Sequence, residues 1–86
     1  YGFINHVCDT AKDVRDRVEQ IAAAIASNAP LSVRAAKATL AAGMDLGCVA
    51  GLARAEALHR PVYDSNDARE GPQAFVEGRP PAWSGT

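Results

Sequence analysis

The stretch SNDAREGPQAFVEGR, residues 65–79, contains the start signal of a short helix. It opens with Ser, Asn and Asp, residue types whose side-chain oxygens accept hydrogen bonds from the free N–H groups of a helix start. If Asp67 is the cap, Glu70 follows at the three-residue spacing of a capping box. The negative charge of Glu70 also suits the first turn of a helix.

The same stretch ends with a stop signal. Gly78 can take the left-handed conformation that closes a helix, and the two prolines that follow Arg79 prevent the helix from continuing. The sequence therefore predicts a helix over residues 65–78 with Ala74 and Phe75 on its hydrophobic face. This helix displays one large aromatic ring and is followed by one cation.

A first upstream helix is predicted over about residues 11–27, with Asp9 or Thr10 as its cap. Its apolar residues recur at intervals of four, three and four, which places them in one stripe along the helix. The remaining positions are mostly charged and form a face for solvent. The stripe consists of Val14, Val18, Ile21 and Ile25.

Two more helices are predicted between that helix and the 65–78 stretch. One begins at Pro30, a favourable first helical position, and runs to about residue 42. The other covers about residues 46–63, is rich in Ala and Gly, and is expected to kink or end early near Arg60, because Pro61 pushes the residue before it out of helical geometry.

Residues 1–7, YGFINHV, alternate loosely between two faces and contain β-branched and aromatic residues, so a strand is predicted. A lone strand has unpaired edges and is not stable alone. Its partners are therefore expected outside this chain or in another copy of it. The start at a strand, without Met, leads us to expect a piece of a longer protein.

The composition indicates helices with little apolar bulk. Among the 86 residues, 18 are Ala and only 17 are Leu, Ile, Val or Phe, so the helices form readily but bury little area. The net charge of −1, with no run of like charge, argues against a nucleic-acid partner, since a phosphate backbone needs a concentrated basic face. No stretch approaches the length of a membrane span, so no membrane partner is expected.

No catalytic or metal-binding constellation is present in the sequence. The chain has no nucleophile with a supporting base, no phosphate loop, no dinucleotide fingerprint and no metal motif. Cys8 and Cys48 lie far apart and are expected to be reduced thiols of an intracellular protein. Glu56 is either a catalytic carboxylate or the partner of Arg60 in a surface ion pair, and the second interpretation is preferred.

Two further features have both a functional and a structural interpretation. Arg34 and Lys37 stand three residues apart on one helix face and either attract a phosphate-bearing ligand or simply face solvent, the preferred interpretation. Trp83, the only Trp, either anchors the C-terminal tail on an apolar surface, as we prefer, or lines a ligand pocket.

The pattern S-x-D-x-x-E-G-x-x-A-F-x-E-x-R-x-P over residues 65–81 resembles the C-terminal signature of the enoyl-CoA hydratase/isomerase (crotonase) superfamily. Residues 29–37 resemble the start of that family's preceding helix, and residues 1–7 resemble the strand that leads out of its core domain. The three pieces occur in the family's order. Together they cover the chain from about residue 2 to residue 85.

The resemblance implies a mainly α chain, with a short N-terminal strand followed by about four helices, which forms the C-terminal helical domain of a crotonase-like α/β spiral fold. Residues 1–8 would be the end of a core-domain strand. Residues 9–79 would be the helical and oligomerisation domain, and residues 80–86 an extended tail. The cytoplasm is the expected location.

The resemblance also implies an acyl-CoA-processing enzyme, a lyase or isomerase, whose catalytic groups lie in a core domain absent here. No catalytic or metal-binding residue is therefore assigned, and the chain alone is expected to be inactive. Phe75 would contact the adenine of coenzyme A, or else would be buried and pin its helix. Arg79 would replace a Lys that the family often has at the position of Gly78 for the CoA phosphates.

The expected partners are an acyl-CoA substrate, the missing core domain and further copies of the chain in a trimer or hexamer, without a separate cofactor. An alternative is a small helical self-association module with no ligand, favoured by the low apolar bulk. A third, weaker interpretation is a free-standing CoA-binding bundle, although the chain lacks a clustered basic site for the phosphates.

Overall fold

The computed structural model describes residues 2–86, and within that range the chain forms four helices and no strand. The expected mainly α architecture is confirmed at this level. Each helix lies within two residues of its predicted bounds. The helices are α1 (Ala11–Ala26), α2 (Pro30–Gly43), α3 (Cys48–Tyr63) and α4 (Asn66–Glu77).

The predicted N-terminal strand is not formed by residues 2–8, and Tyr1 lies outside the described residues. A strand is stable only when its N–H and C=O groups pair with a neighbouring strand, and residues 2–86 provide none. The side chains of this segment also lack cover, since Phe3 is 96% and Val7 is 89% exposed. The strand prediction is therefore wrong for the isolated chain.

Helix α1 begins where the sequence predicted. The Thr10 hydroxyl accepts a hydrogen bond from the Asp13 amide at 3.1 Å, and the Asp13 carboxylate accepts one from the Thr10 amide at 3.2 Å. The two residues form a capping box, which satisfies two N–H groups that the helix leaves free. Thr10, rather than Asp9, is the cap.

Helices α2 and α3 pack against each other. Ala35 of α2 is buried at this contact, and Pro30 occupies the start of the helix as expected. Helix α3 does not end near Arg60 but continues through Pro61 to Tyr63. The carbonyl of Ala57, which loses its donor at Pro61, lies on an exposed part of the helix where water can bond it. The predicted early end is therefore wrong.

The four helices do not enclose a core. The radius of gyration is 16.4 Å, whereas a compact chain of this length has about 12 Å. Among the described residues, only Ala35 and Ala74 are buried apolar residues. The α1 stripe is half exposed, at 49% for Val14, 59% for Val18, 40% for Ile21 and 52% for Ile25. The apolar faces are thus formed but not covered.

Candidate functional site

The N-terminus of α4 is capped by Ser65, not by Asp67. The Ser65 hydroxyl accepts a hydrogen bond from the Ala68 amide at 3.1 Å and donates one to the Val62 carbonyl at 2.5 Å. Glu70 does not reach back to the cap, so the capping box that Asp67 and Glu70 could have formed is not present. Ser65 precedes Asp67 by two residues and takes the capping role, which leaves the Asp67 side chain free for other donors.

Asp67 is 3% exposed, and its carboxylate holds the C-terminal tail. One oxygen accepts hydrogen bonds from the Ser84 amide at 2.7 Å and the Ser84 hydroxyl at 3.0 Å. The other oxygen accepts one from the Gly85 amide at 2.9 Å. Burial acts to raise the pKa of Asp67, but these hydrogen bonds favour the anion more strongly and hold the pKa below its ordinary value. The carboxylate therefore stays ionised inside the contact.

Glu70 makes the second attachment of the tail. Its two oxygens accept hydrogen bonds from the Arg79 guanidinium at 2.6 and 3.0 Å, in a bidentate ion pair. One of them also accepts from the Ala82 amide at 2.7 Å. The Arg79 bonds first, and the Ala82 bond second, lower the pKa of Glu70 to about 2. The carboxylate is thus fully charged at neutral pH.

Arg79 does not extend freely toward solvent. Its guanidinium pairs with Glu70 and also donates to Glu77, and these bonds raise its pKa above the ordinary value. The side chain keeps 37% of its surface exposed. Its charge is compensated within the chain, so a phosphate group at this position would compete with two carboxylates.

Phe75 lies on the uncovered side of α4. Its side chain is 87% exposed, and the neighbouring Val76 is 84% exposed, while Ala74 beside it is 1% exposed. The helix closes just beyond at Gly78, whose φ of 66° is left-handed, as predicted. Within the described chain, Phe75 is therefore not the buried side chain that would pin α4 onto a neighbour.

Trp83 anchors the tail, as preferred from the sequence. Its indole Nε1 donates a hydrogen bond to the Ser27 carbonyl at 2.8 Å, at the end of α1. The ring also lies on Gly71 of α4, where an added Cβ would meet the ring at 3.3 Å. A glycine at this position is what allows the indole to lie so close to the helix backbone.

The other candidate residues remain on the surface. Arg34 and Lys37 are exposed, and Arg34 borders a shallow pit of about 290 Å³ between α2 and α3. Glu56 and Arg60 form an exposed ion pair at 3.2 Å, in agreement with the preferred interpretation. The pit is lined mainly by apolar residues, among them Leu31, Ala38, Leu58 and Val62.

A larger open groove of about 510 Å³ lies where α2 and α3 meet the turn between them. Its lining is almost entirely apolar and includes Leu40, Met44 and Leu52, which are all more than two-thirds exposed. Cys48, an exposed free thiol, borders it. The groove contains no charged side chain that would recognise a phosphate.

Within residues 2–86, no group of three or more His, Cys, Asp or Glu side chains is arranged to hold a metal ion. None of the helices described is both long and apolar enough to cross a membrane. The clearest arrangement of polar groups is therefore the one that joins α4 to the tail. Only its components, and not their pairing, could be recognised in the sequence.

Comparison with known proteins gives a consistent result. A family model described as "Enoyl-CoA hydratase/isomerase" matches residues 1–86. Carnitinyl-CoA dehydratase of Proteus mirabilis is 38% identical over 89 residues, and (E)-benzylidenesuccinyl-CoA hydratase of Thauera aromatica is 35% identical over 85 residues; each match covers 99% of this chain. The solved structure of enoyl-CoA hydratase EchA1 from Mycobacterium marinum superposes with a TM-score of 0.87 at 33% identity, over 99% of this chain.

These matches cover 33–34% of the relatives' own lengths, so the chain spans about a third of the proteins it resembles. The similarity extends over sequence and helix arrangement alike. Because the family match includes every residue, the chain belongs to the enoyl-CoA hydratase/isomerase family.

Proposed function

We propose that this chain is the C-terminal helical part of an acyl-CoA hydratase or isomerase. The observation that carries the proposal is the family match over all 86 residues. The names of two relatives support it, since carnitinyl-CoA dehydratase and (E)-benzylidenesuccinyl-CoA hydratase both name CoA thioesters. The substrate class proposed for the native polypeptide is therefore an acyl-CoA.

The catalytic groups of the native polypeptide lie outside this chain in our proposal. The described residues bring together no nucleophile and base, and the carboxylates of Asp67 and Glu70 are occupied by hydrogen bonds to Arg79 and the tail. Backbone amides elsewhere would hold the thioester carbonyl and stabilise enolate character as a proton moves or water adds. The 86 residues alone are accordingly expected to be inactive.

The role proposed for the helices is assembly and closure of the acyl pocket. The uncovered apolar surface supports this role, because the α1 stripe is half exposed and the α2–α3 groove is open. An upstream core domain and further copies of the chain, in a trimer or hexamer, would cover these faces. Burial of such surface contributes about 25 cal/mol per Å², which supplies the stability that the isolated helices lack.

For coenzyme A itself we propose a contact through Phe75, whose exposed ring is able to stack on adenine. Arg79 is retained as the second CoA-contact residue, acting through the exposed third of its side chain. Its two internal ion pairs make it the weaker of the two contacts. Phe75 is therefore the residue on which the test is built.

The experiment measures CoA-thioester binding and self-association of the native polypeptide with Phe75→Ala, and with Val76→Ala as the matched control. Val76 is equally exposed and adjacent, so it reports on general damage to α4. Weaker CoA binding with unchanged assembly, in Phe75→Ala only, supports the proposal. Loss of assembly without any effect on CoA would instead indicate the ligand-free self-association module, which the family match does not favour.

A further inference from the structure

Three groups at the start of α4 are bonded to the tail, residues 80–86. Asp67 holds the Ser84 and Gly85 amides, and the main-chain oxygen of Thr86 accepts from the Asn66 amide at 2.7 Å and the Asp67 amide at 3.3 Å. One turn further along, Glu70 accepts from the Ala82 amide. The tail thus runs along one face of α4 and is bonded to it through main-chain groups.

The tail is also attached to the turn between α1 and α2. The Trp83 indole donates a hydrogen bond to the Ser27 carbonyl at 2.8 Å. Gly85 lies so close to Pro30 that a Cβ added at Gly85 would be 3.4 Å from Pro30 Cγ. Ser27 follows the last residue of α1 and Pro30 is the first residue of α2, so the two residues flank the turn. The same few residues therefore contact two parts of the chain that are far apart in sequence.

Helix α4 has few other attachments within the described residues. Its contact with α3 is small compared with the contact between α2 and α3. Ala74 is its one buried apolar side chain, and an alanine contributes little area. The placement of α4 therefore depends mainly on the hydrogen bonds that the tail makes to α4 and to the α1–α2 turn.

We infer that residues 80–86 form a strap that fixes α4 to the α1–α2 turn, and that Asp67 is a positioning residue for the exposed ring of Phe75. The part that concerns Phe75 rests on the proposed CoA contact, whereas the strap itself does not. Asp67 touches no ligand and acts by holding the strap. Loss of its anchor frees α4 to move and lets the Phe75 ring leave the position at which adenine meets it.

The first test is native-state hydrogen exchange of the α4 amides in the native polypeptide carrying Asp67→Asn. An amide side chain offers a single acceptor oxygen, so either Ser84 or Gly85 loses its partner. Exchange across α4 is expected to become about tenfold faster, the size of one lost charge-assisted hydrogen bond. The control is Asp16→Asn, an exposed carboxylate of α1 paired with Lys12, which is expected to leave α4 unchanged.

A milder variant keeps the test decisive if Asp67→Asn folds poorly. Trp83→Phe retains an aromatic ring over Gly71 but removes the donor to the Ser27 carbonyl. About threefold faster exchange in α4 is expected from the loss of one neutral hydrogen bond. Exchange rates that match the control in both variants would overturn the strap.

The second test separates positioning from general stability by steady-state kinetics with a CoA thioester. Asp67→Asn is expected to raise KM several-fold with little change in kcat, and to add almost nothing in a Phe75→Ala background. Full additivity of the two substitutions would overturn the positioning role. If Phe75→Ala itself leaves KM unchanged, the proposed CoA contact fails, and the exchange experiment still decides the strap.

Discussion

Gly71→Ala tests the packing of the tail on α4 most sharply, because helix propensity and packing oppose each other at this position. In a helix interior, Ala is favoured over Gly by about 1 kcal/mol. The new Cβ, however, would lie 3.3 Å from Cη2 and 3.6 Å from Cζ3 of Trp83. The ring has to move by a few tenths of an ångström to relieve this contact.

Trp83 has little freedom to move. Its indole is bonded to the Ser27 carbonyl, and the residue that follows it, Ser84, is bonded to Asp67. Overpacking of a held side chain costs about 1–3 kcal/mol. The loss therefore matches or exceeds the gain in propensity, and Gly71→Ala is expected to leave the free energy of unfolding unchanged or to lower it by up to about 2 kcal/mol.

The matched control is Gly51→Ala in α3, where the nearest atom to an added Cβ is Leu46 Cβ at 4.0 Å, an ordinary contact. This variant keeps the propensity gain and is expected to be more stable by about 0.5–1 kcal/mol. The assay is chemical unfolding of the native polypeptide. In a Trp83→Ala background, Gly71→Ala is expected to be less unfavourable than with Trp83 present, although Pro72 still disfavours a Cβ on the residue before it. Equal stabilisation by both glycine substitutions with Trp83 present would refute the reasoning.

Three further outcomes are expected. Ser65→Ala removes the α4 cap and is expected to lower the free energy of unfolding, measured in urea, by about 1 kcal/mol. An unchanged free energy of unfolding would mean that the cap does not stabilise the chain. Because the pKa of Glu70 is lowered from 4.5 to about 2 in the folded chain, its ion pair with Arg79 contributes stability that is complete above pH 4.5 and is lost as the pH falls toward 2. Exchange protection of α4 measured against pH is expected to follow that window. Glu70→Gln is expected to weaken the dependence but not to abolish it, because the pKa of Asp67 is also lowered in the folded chain. Ile21→Ala is expected to destabilise the native polypeptide by about 2–4 kcal/mol, as for a core residue, whereas near-zero loss would mean that the α1 stripe stays uncovered.

The helix ends that were predicted from sequence are those specified by local groups. Thr10 finds its partner three residues away, and Gly78 needs no partner to take a left-handed conformation. Pro30 likewise marks a helix start by its own geometry. Such signals are contained within one turn of chain, so a single sequence is sufficient to recognise them.

The sequence is insufficient to predict a contact or an element where a residue's partner is remote along the chain or missing from it. Asp67 is one possible cap of α4 by its position in the sequence, but its carboxylate binds amides 17 and 18 residues further along, a pairing that no local spacing indicates. Nothing in the sequence indicates that Arg79, which stays a predicted CoA contact, pairs with Glu70 nine residues earlier. The strand over residues 1–7 was predicted from its alternation, yet a strand needs a neighbouring strand to pair with, and residues 2–86 contain none.

The functional account depends on one measurement above all, the hydration of a short trans-enoyl-CoA by the native polypeptide as its source produces it. The predicted result is turnover with a KM of about 1 μM to 1 mM. Phe75→Ala is expected to raise this KM, and Val76→Ala is expected to leave it unchanged. Absence of both turnover and binding for every CoA thioester tested at millimolar concentration would contradict the proposal that these helices serve an acyl-CoA enzyme.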